Sequence, residues 1–184
     1  RYFASFSEKS YGGNITDYLT KTNSLPGVGS TKVTPLWDGG GTVKLTILDA
    51  TYNKASSTLI DAVQNAIDPS PQGEGWGIAP IGHIVTVDTV EEVTVDIAAN
   101  ITFDTGYSWE ALQTQAIAAL EDYMLELRSD WANQEGLIVR IVQIETRLLA
   151  IEGIIDISGT TINGDANNLT LTTYQIPVLG SVTP

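Results

Sequence analysis

Two short stretches, LPGV at residues 25–28 and IEGI at 151–154, each close a helix-like segment and open a strand-like one. Sixteen residues past Gly27 begins VKLT, Val43 to Thr46, and sixteen past Gly153 begins LTLT, Leu169 to Thr172. Each interval holds a glycine turn, DGGG in the first and NGD in the second. Each half therefore reads helix, glycine, strand, turn, strand, a shared plan that points to two small related units rather than one continuous fold. The fold class this implies is α+β: helix-strand-strand units whose mixed or antiparallel sheets are covered by helices. The run HIVTVDTVEEVTVDIAANITF is β-branched, largely alternating and long enough to cross from one domain to the next. Its acidic pair Glu91-Glu92 is the expected seam, giving domains 1–90 and 91–184.

The first helix is expected at NITDYLTKTNS, with Asn14 as N-cap, Asp17 three residues on, and Ile15, Tyr18 and Leu19 on one face. Pro26 and Gly27 end it. A second is expected at STLIDAVQNAIDP, where Thr58 and Asp61 resemble a capping box and Leu59, Ile60, Val63 and Ile67 line the apolar face. The clearest helix is SWEALQTQAIAALEDYMLELRSDW. Ser108 caps it, and Trp109, Leu112, Ala116, Ala119, Leu120, Tyr123 and Leu127 form its apolar stripe. LIVRIVQIETRLLAIEG reads as a short strand or loop running into another helix. IIDISGTTING, NLTLTTYQ and IPVLGSV read as short strands joined by turns.

Gly39 to Gly41 raise the question of a phosphate loop. Such a loop needs glycines at a strand-to-helix junction, with backbone N–H groups facing the ligand and usually a Lys and a hydroxyl following. Here they lie between two strand-like runs, STKVTPLW and TVKLTIL, and Lys44 sits inside the second. The pattern is that of a hairpin whose turn needs positive φ, which glycine supplies without steric cost.

The chain carries 22 acidic residues against 9 basic ones, a net charge of −13. A nucleic-acid backbone or an anionic membrane surface is repelled by such a field. There is no Cys, which removes disulfides, thiolate nucleophiles and cysteine metal sites. No apolar run approaches the roughly 20 residues of a membrane-spanning helix. The opening RYFASFSEKS has no initiator Met and no signal-peptide pattern, so a fragment or processed product is expected.

Catalytic constellations are sparse. His83 is the only histidine, so a multi-histidine metal site is impossible, and its setting between PIG and IVTVD is that of a residue starting a strand. No G-x-S-x-G nucleophile elbow is present. Glu91 and Glu92 are adjacent on a strand and point to opposite faces, so they cannot share an acid/base site. Asp156 and Asp165 are too scattered to place. NGDANN at 163–168 offers oxygens at alternating positions but lacks the closing bidentate Glu of a calcium loop, and Asn-Gly is itself a hairpin signal. In GEGWG at 73–77, Trp76 either meets a ligand or partner or folds back on the sheet.

The series YGGNITDYL, PGVGSTKVTPLWDGGGTVKLTILD, TLIDAVQNAIDP, APIGHIVTV and EGIIDISGTTINGDANNLTL…IPVLGSV resembles the baseplate J-like family of tailed bacteriophages. The likeness runs over nearly the whole chain. It is carried by Gly12-Gly13, Pro26-Gly27-Val28, Pro35-Leu36-Trp37, Pro80-Ile81-Gly82-His83 and Ile176-Pro177-Val178. The resemblance implies a non-enzymatic virion structural protein in the wedge ring of a contractile-tail baseplate. It implies no catalytic residue and no cofactor, and partners among other baseplate and tail proteins in a multimeric ring. The expected location is the virion tail baseplate, with the host cytoplasm during assembly. Members usually carry a further N-terminal region, which this chain does not include.

Within that reading, Trp76 and the polar edge from Thr160 to Thr173 are the expected assembly contacts. Strand edges and helix faces of small α+β modules offer docking surfaces. Two other classes stand beside it. The Thr/Asn-rich strands and NGDANN prompt a secreted or surface module binding glycan or calcium. A hydrolase using Asp or Glu needs a pair of converging carboxylates that the sequence does not provide.

Overall fold

A computed structural model describes residues 12–184; the RYFASFSEKS segment lies outside the described residues. The chain divides into two compact units, Arg1–Val90 and Glu91–Pro184.

In the first unit, helix α1 (Ile15–Asn23) is followed by strands β1 (Val28–Pro35) and β2 (Thr42–Asp49), helix α2 (Ser57–Ile67) and strand β3 (Ile84–Thr89). Asn14 caps α1 as expected: its side-chain oxygen accepts from Asp17 N–H at 2.7 Å. The Asp17 carboxylate reaches back to Gly13 N–H and across to Lys21 Nζ, both at 2.9 Å, so the first turn is closed from both sides. The buried face differs from the expected one. Tyr18, Asp17 and Thr22 are buried while Ile15 is exposed: the Asp17 carboxylate is bonded by Gly13 N–H and Lys21, and Tyr18 enters the core. Likewise the cap of α2 is Ser56, whose hydroxyl accepts from Leu59 N–H at 3.2 Å, and not Thr58.

The sheet order is β1-β2-β3, with β1 antiparallel and β3 parallel to the central β2. The glycine run is the turn of the β1–β2 hairpin, in which Pro35 faces Val43. Gly39 (φ 98°) and Gly41 (φ 81°) take the left-handed backbone, and Thr42 accepts from Asp38 N–H while donating to Gly39 C=O. The parallel β3 is reached through α2, as a parallel pair requires a crossover. Leu45, Ile47, Val63, Ile67, Val85, Val87 and Tyr18 form the core between sheet and helices. β1 ends at Pro35, so Leu36 and Trp37, taken from the sequence as strand residues, lie in the turn and are exposed. Leu36 takes φ 56°, which turns the chain out of the ladder.

In the second unit the long run continues as β4 (Glu91–Phe103), followed by α3 (Trp109–Ser129), a short 3₁₀ turn (Trp131–Asn133), β5 (Ile138–Val139), α4 (Ile141–Leu149), β6 (Ile154–Ile162), β7 (Leu169–Thr170) and β8 (Gln175–Thr183). β4 is central, antiparallel to β6 and parallel to β8. Its Val95, Ile97 and Ala99 are buried while the intervening residues are exposed, and Leu112, Ala116, Leu120, Tyr123 and Met124 of α3 with Ile144 and Leu148 of α4 complete the core. Ser108 stands at the N-cap position of α3 without capping it through its side chain.

Both units thus hold a three-stranded sheet whose central strand has one antiparallel and one parallel neighbour. The shared element is local. Leu25–Val28 and Ile151–Ile154 are equivalent turns, closed by Val28 N–H on Leu25 C=O and Ile154 N–H on Ile151 C=O. Gly27 and Gly153 sit at the same turn position with φ 87° and 98°. Past this turn the parallel fails. β1 pairs with the next strand, but β6 returns to β4, and the LTLT run supplies only β7, which pairs with β5. The NGD turn does form, with Ile162 and Asp165 exchanging backbone hydrogen bonds across Asn163 and Gly164, but no hairpin joins β6 to the LTLT run. Asn163 heads that turn. At φ 53°, it extends β6's pairing by side chain, accepting from Asp96 N–H at 2.8 Å and donating to Thr94 C=O at 3.0 Å.

Candidate functional site

The residues of chemical interest scatter rather than converge. His83 precedes β3 and its Nδ1 lies 2.8 Å from the Tyr18 hydroxyl, with the two rings stacked. Burial, and then the nearby charges of Asp68 and Asp17, push the Tyr18 phenol up to about 12. This is a core contact that ties the start of β3 to α1. Glu91 and Glu92 are both exposed at the start of β4, and Glu91 accepts from Gln175 Nε2. Among the described residues no group of three His, Asp or Glu side chains is placed to hold a metal ion.

The oxygens that prompted a calcium reading of NGDANN are engaged by N–H donors. Asn163 Oδ1 accepts from Asp96 N–H, Asp165 Oδ1 from Asn167 N–H, and Asn168 Oδ1 from Ile141 N–H at the start of α4. Asn168 replaces the missing cap of α4, whose own N-cap residue is Arg140.

Of the expected contact residues, Trp76 is 77% exposed and its indole N–H donates to Glu74 Oε2 at 2.9 Å. Thr173 is exposed on the segment before β8, and its carbonyl accepts from the buried Trp131 indole at 3.0 Å. Thr160, in contrast, is 5% exposed. It lies in a bulge where Gly159 and Thr160 together face β4 between the Ala98–Thr161 and Asn100–Ser158 pairs, and the bulge turns its side chain inward. Thr160 therefore presents no side chain to a partner.

Four further exposed apolar residues accompany Trp76 at one end of the first unit: Leu36, Trp37, Ile81 and Ile84. The loops that bear them are stitched together by backbone bonds, Ile84 N–H to Gly41 C=O at 2.9 Å and Gly82 N–H to Gly73 C=O at 2.8 Å. Beneath them Asp68, at the end of α2 and 2% exposed, accepts from Gly73 N–H and Val85 N–H, each at 2.9 Å. Lys44 pairs with Asp88 at 2.8 Å and stands 5.5 Å from the Trp37 ring centre. Burial alone would raise the Asp88 carboxyl, yet hydrogen bonds from Lys44 and the Thr89 backbone, with the charges of Lys44 and Lys54, hold it below its usual range. The one sequence signal for this cluster is its setting, since Pro35-Leu36-Trp37 abuts the glycine turn and Ile81 lies between Pro80 and Gly82.

Residues 10–89 match the Baseplate J-like central domain and residues 95–184 the Baseplate J-like protein C-terminal domain. The chain belongs to the Baseplate J-like family. It is 33% identical over 182 residues to the phage-like element PBSX protein XkdT of Bacillus subtilis (strain 168), covering 99% of this chain and 51% of that protein. It is 35% identical over 182 residues to YqbT of the same strain, with the same coverage of both chains. The chain spans about half the length of these relatives. In fold it is similar to a chain of the anti-feeding prophage (AFP) baseplate solved by cryo-EM, with a TM-score of 0.61 at 9% identity over 98% of this chain and 40% of that one.

Proposed function

We propose that this chain is a structural part of a phage or prophage-derived contractile-tail baseplate, working through protein–protein contacts and catalysing no reaction. The observation that carries the reading is the family match, which extends over both units; the likeness in fold to an AFP baseplate chain is consistent with it. Its partners are other baseplate and tail proteins in a multimeric ring, with no nucleic acid and no membrane insertion. Its location is the virion tail, reached by assembly in the host cytoplasm. Trp76 and the exposed edge at Thr173 serve as contacts, and the units 1–90 and 91–184 act as separately folding domains. The strong negative charge keeps free subunits apart before docking, and complementary partners offset it on assembly. Nothing among the described residues favours the calcium reading, since no group of three His, Asp or Glu side chains is placed to hold an ion.

The test is deletion of the gene from the encoding genome, with complementation by the full-length protein. Expected are particles or tail parts that lack a baseplate, restored on complementation. Normal baseplates in the deletion strain would overturn the proposal.

A further inference from the structure

The five exposed apolar residues at one end of the first unit stand on loops whose backbones are bonded to one another. Leu36 and Trp37 follow β1, while Ile81 and Ile84 flank the start of β3. Trp76 stands on the loop between α2 and β3. Their exposures run from 44% for Trp37 to 81% for Ile81. Large apolar groups scattered singly need no explanation, but clustered on adjoining loops they mark an interaction site.

The backbone fixes these loops. Gly41 approaches Gly82 C=O and Gly75 packs against Ile81, and Gly41, Gly73, Gly75 and Gly82 all take positive φ. With Asp68 holding the loop between α2 and β3 by two N–H groups, the surface is ordered before binding, which lowers the entropy cost of association. Trp37 and Trp76 are the residue type most often found as interface anchors.

The charge around the cluster selects among occupants. Asp38 follows Trp37, and Glu74 bonds the Trp76 indole; among the described residues neither has a cationic partner. The nearby cation, Lys44, is engaged by Asp88. Lys44 already stands over the Trp37 ring, but the Trp76 indole beside Glu74, and Asp38 without a cationic partner, favour an incoming Arg or Lys, which can pair with the acid and lie over a ring. In a two-fold contact of this face with its own copy, the same carboxylates would meet one another.

We infer that this end of the first unit docks a basic, apolar segment of a different subunit of the same assembly, one that places Arg or Lys between aliphatic or aromatic side chains. This rests on the baseplate reading and adds the chemistry of the partner.

The test uses the full-length protein with a photocrosslinking phenylalanine analogue at position 81, incorporated into assembled particles. Expected is a crosslink to a peptide of another subunit that carries Arg or Lys beside apolar residues. Reversing the rim with Asp38→Lys and Glu74→Lys should cut the crosslink yield about tenfold at low ionic strength. A crosslink to a second copy, to an acidic segment, or to nothing while the protein is present in the particle would overturn the inference. So would a yield indifferent to the charge reversal. Absence of the protein from the particles is a different result, which overturns the baseplate reading and the inference with it.

Discussion

Replacing Asp68 should weaken the first unit out of proportion to the size of the side chain. The carboxylate is 2% exposed and accepts from two backbone N–H groups, Val85 on β3 and Gly73 on the loop that leads to Trp76. In Asp68→Ala both lose their acceptor. Val85 is fully buried, so its N–H bears the whole desolvation penalty of about 2 kcal/mol, whereas water can reach the half-buried Gly73 and hold that loss to about 1 kcal/mol. The expected sum is about 3 kcal/mol, a sizeable part of the 5–15 kcal/mol typical of a domain. Asp68→Asn keeps one acceptor but turns an amide N–H toward the other donor, for about 1–2 kcal/mol. Urea unfolding followed by circular dichroism should show the first unit's midpoint lowered by about 2 M for Ala, taking a slope of about 1.5 kcal/mol per M. Amide exchange should also speed up at Gly73 and Val85. An Ala variant within about 0.5 kcal/mol of the parent, the range of ordinary surface changes, would refute the role given to this carboxylate.

The three glycines of the hairpin turn are not equivalent. Gly39→Ala, at φ 98°, should cost about 1 kcal/mol, while Gly40→Ala, with ordinary φ and open space about its Cβ, should be neutral or stabilising in the same thermal melts. Trp131→Ala should cost the second unit about 3–5 kcal/mol in chemical denaturation, because the indole is fully buried and its N–H bond to Thr173 C=O is lost with it. The raised Tyr18 phenol means that the folded state holds its proton more tightly than the unfolded state. Its contribution is thus fully present below about pH 10 and is lost as pH climbs toward about 12. Alkaline titrations of stability should show this fall, and Tyr18→Phe should flatten it.

The elements legible in the sequence are those with a strong local signal. Asn14 announces α1, the alternation from Val93 to Ala99 announces β4, and three glycines between β-branched runs announce the hairpin. The α+β class and the recurring helix–glycine–strand turn follow from the same signals. Pairing between distant strands was not legible, because it depends on contacts that no local pattern encodes. The NGD signal does make a tight turn, closed between Ile162 and Asp165, but the strand before it pairs with β4 instead of with the LTLT run. The burial of Asp17 and Asp68 has no local sequence signal, since each finds its backbone N–H partners only in the folded chain. At the candidate surface Trp76 stood out by its glycine neighbours. Trp37 did not, because strand propensity continues through it and only the φ of Leu36 ends the strand. The burial of Thr160 within the polar edge was not legible either, because it lies in a bulge of β6 that no local pattern announces.

The central claim is a location, and immunogold electron microscopy tests it most directly. Antibody raised to this chain would be applied to contractile particles released from the organism that encodes it. Gold at the baseplate end of the tail is the expected result. Particles whose baseplates remain bare, with gold on the cell surface instead, would contradict the account.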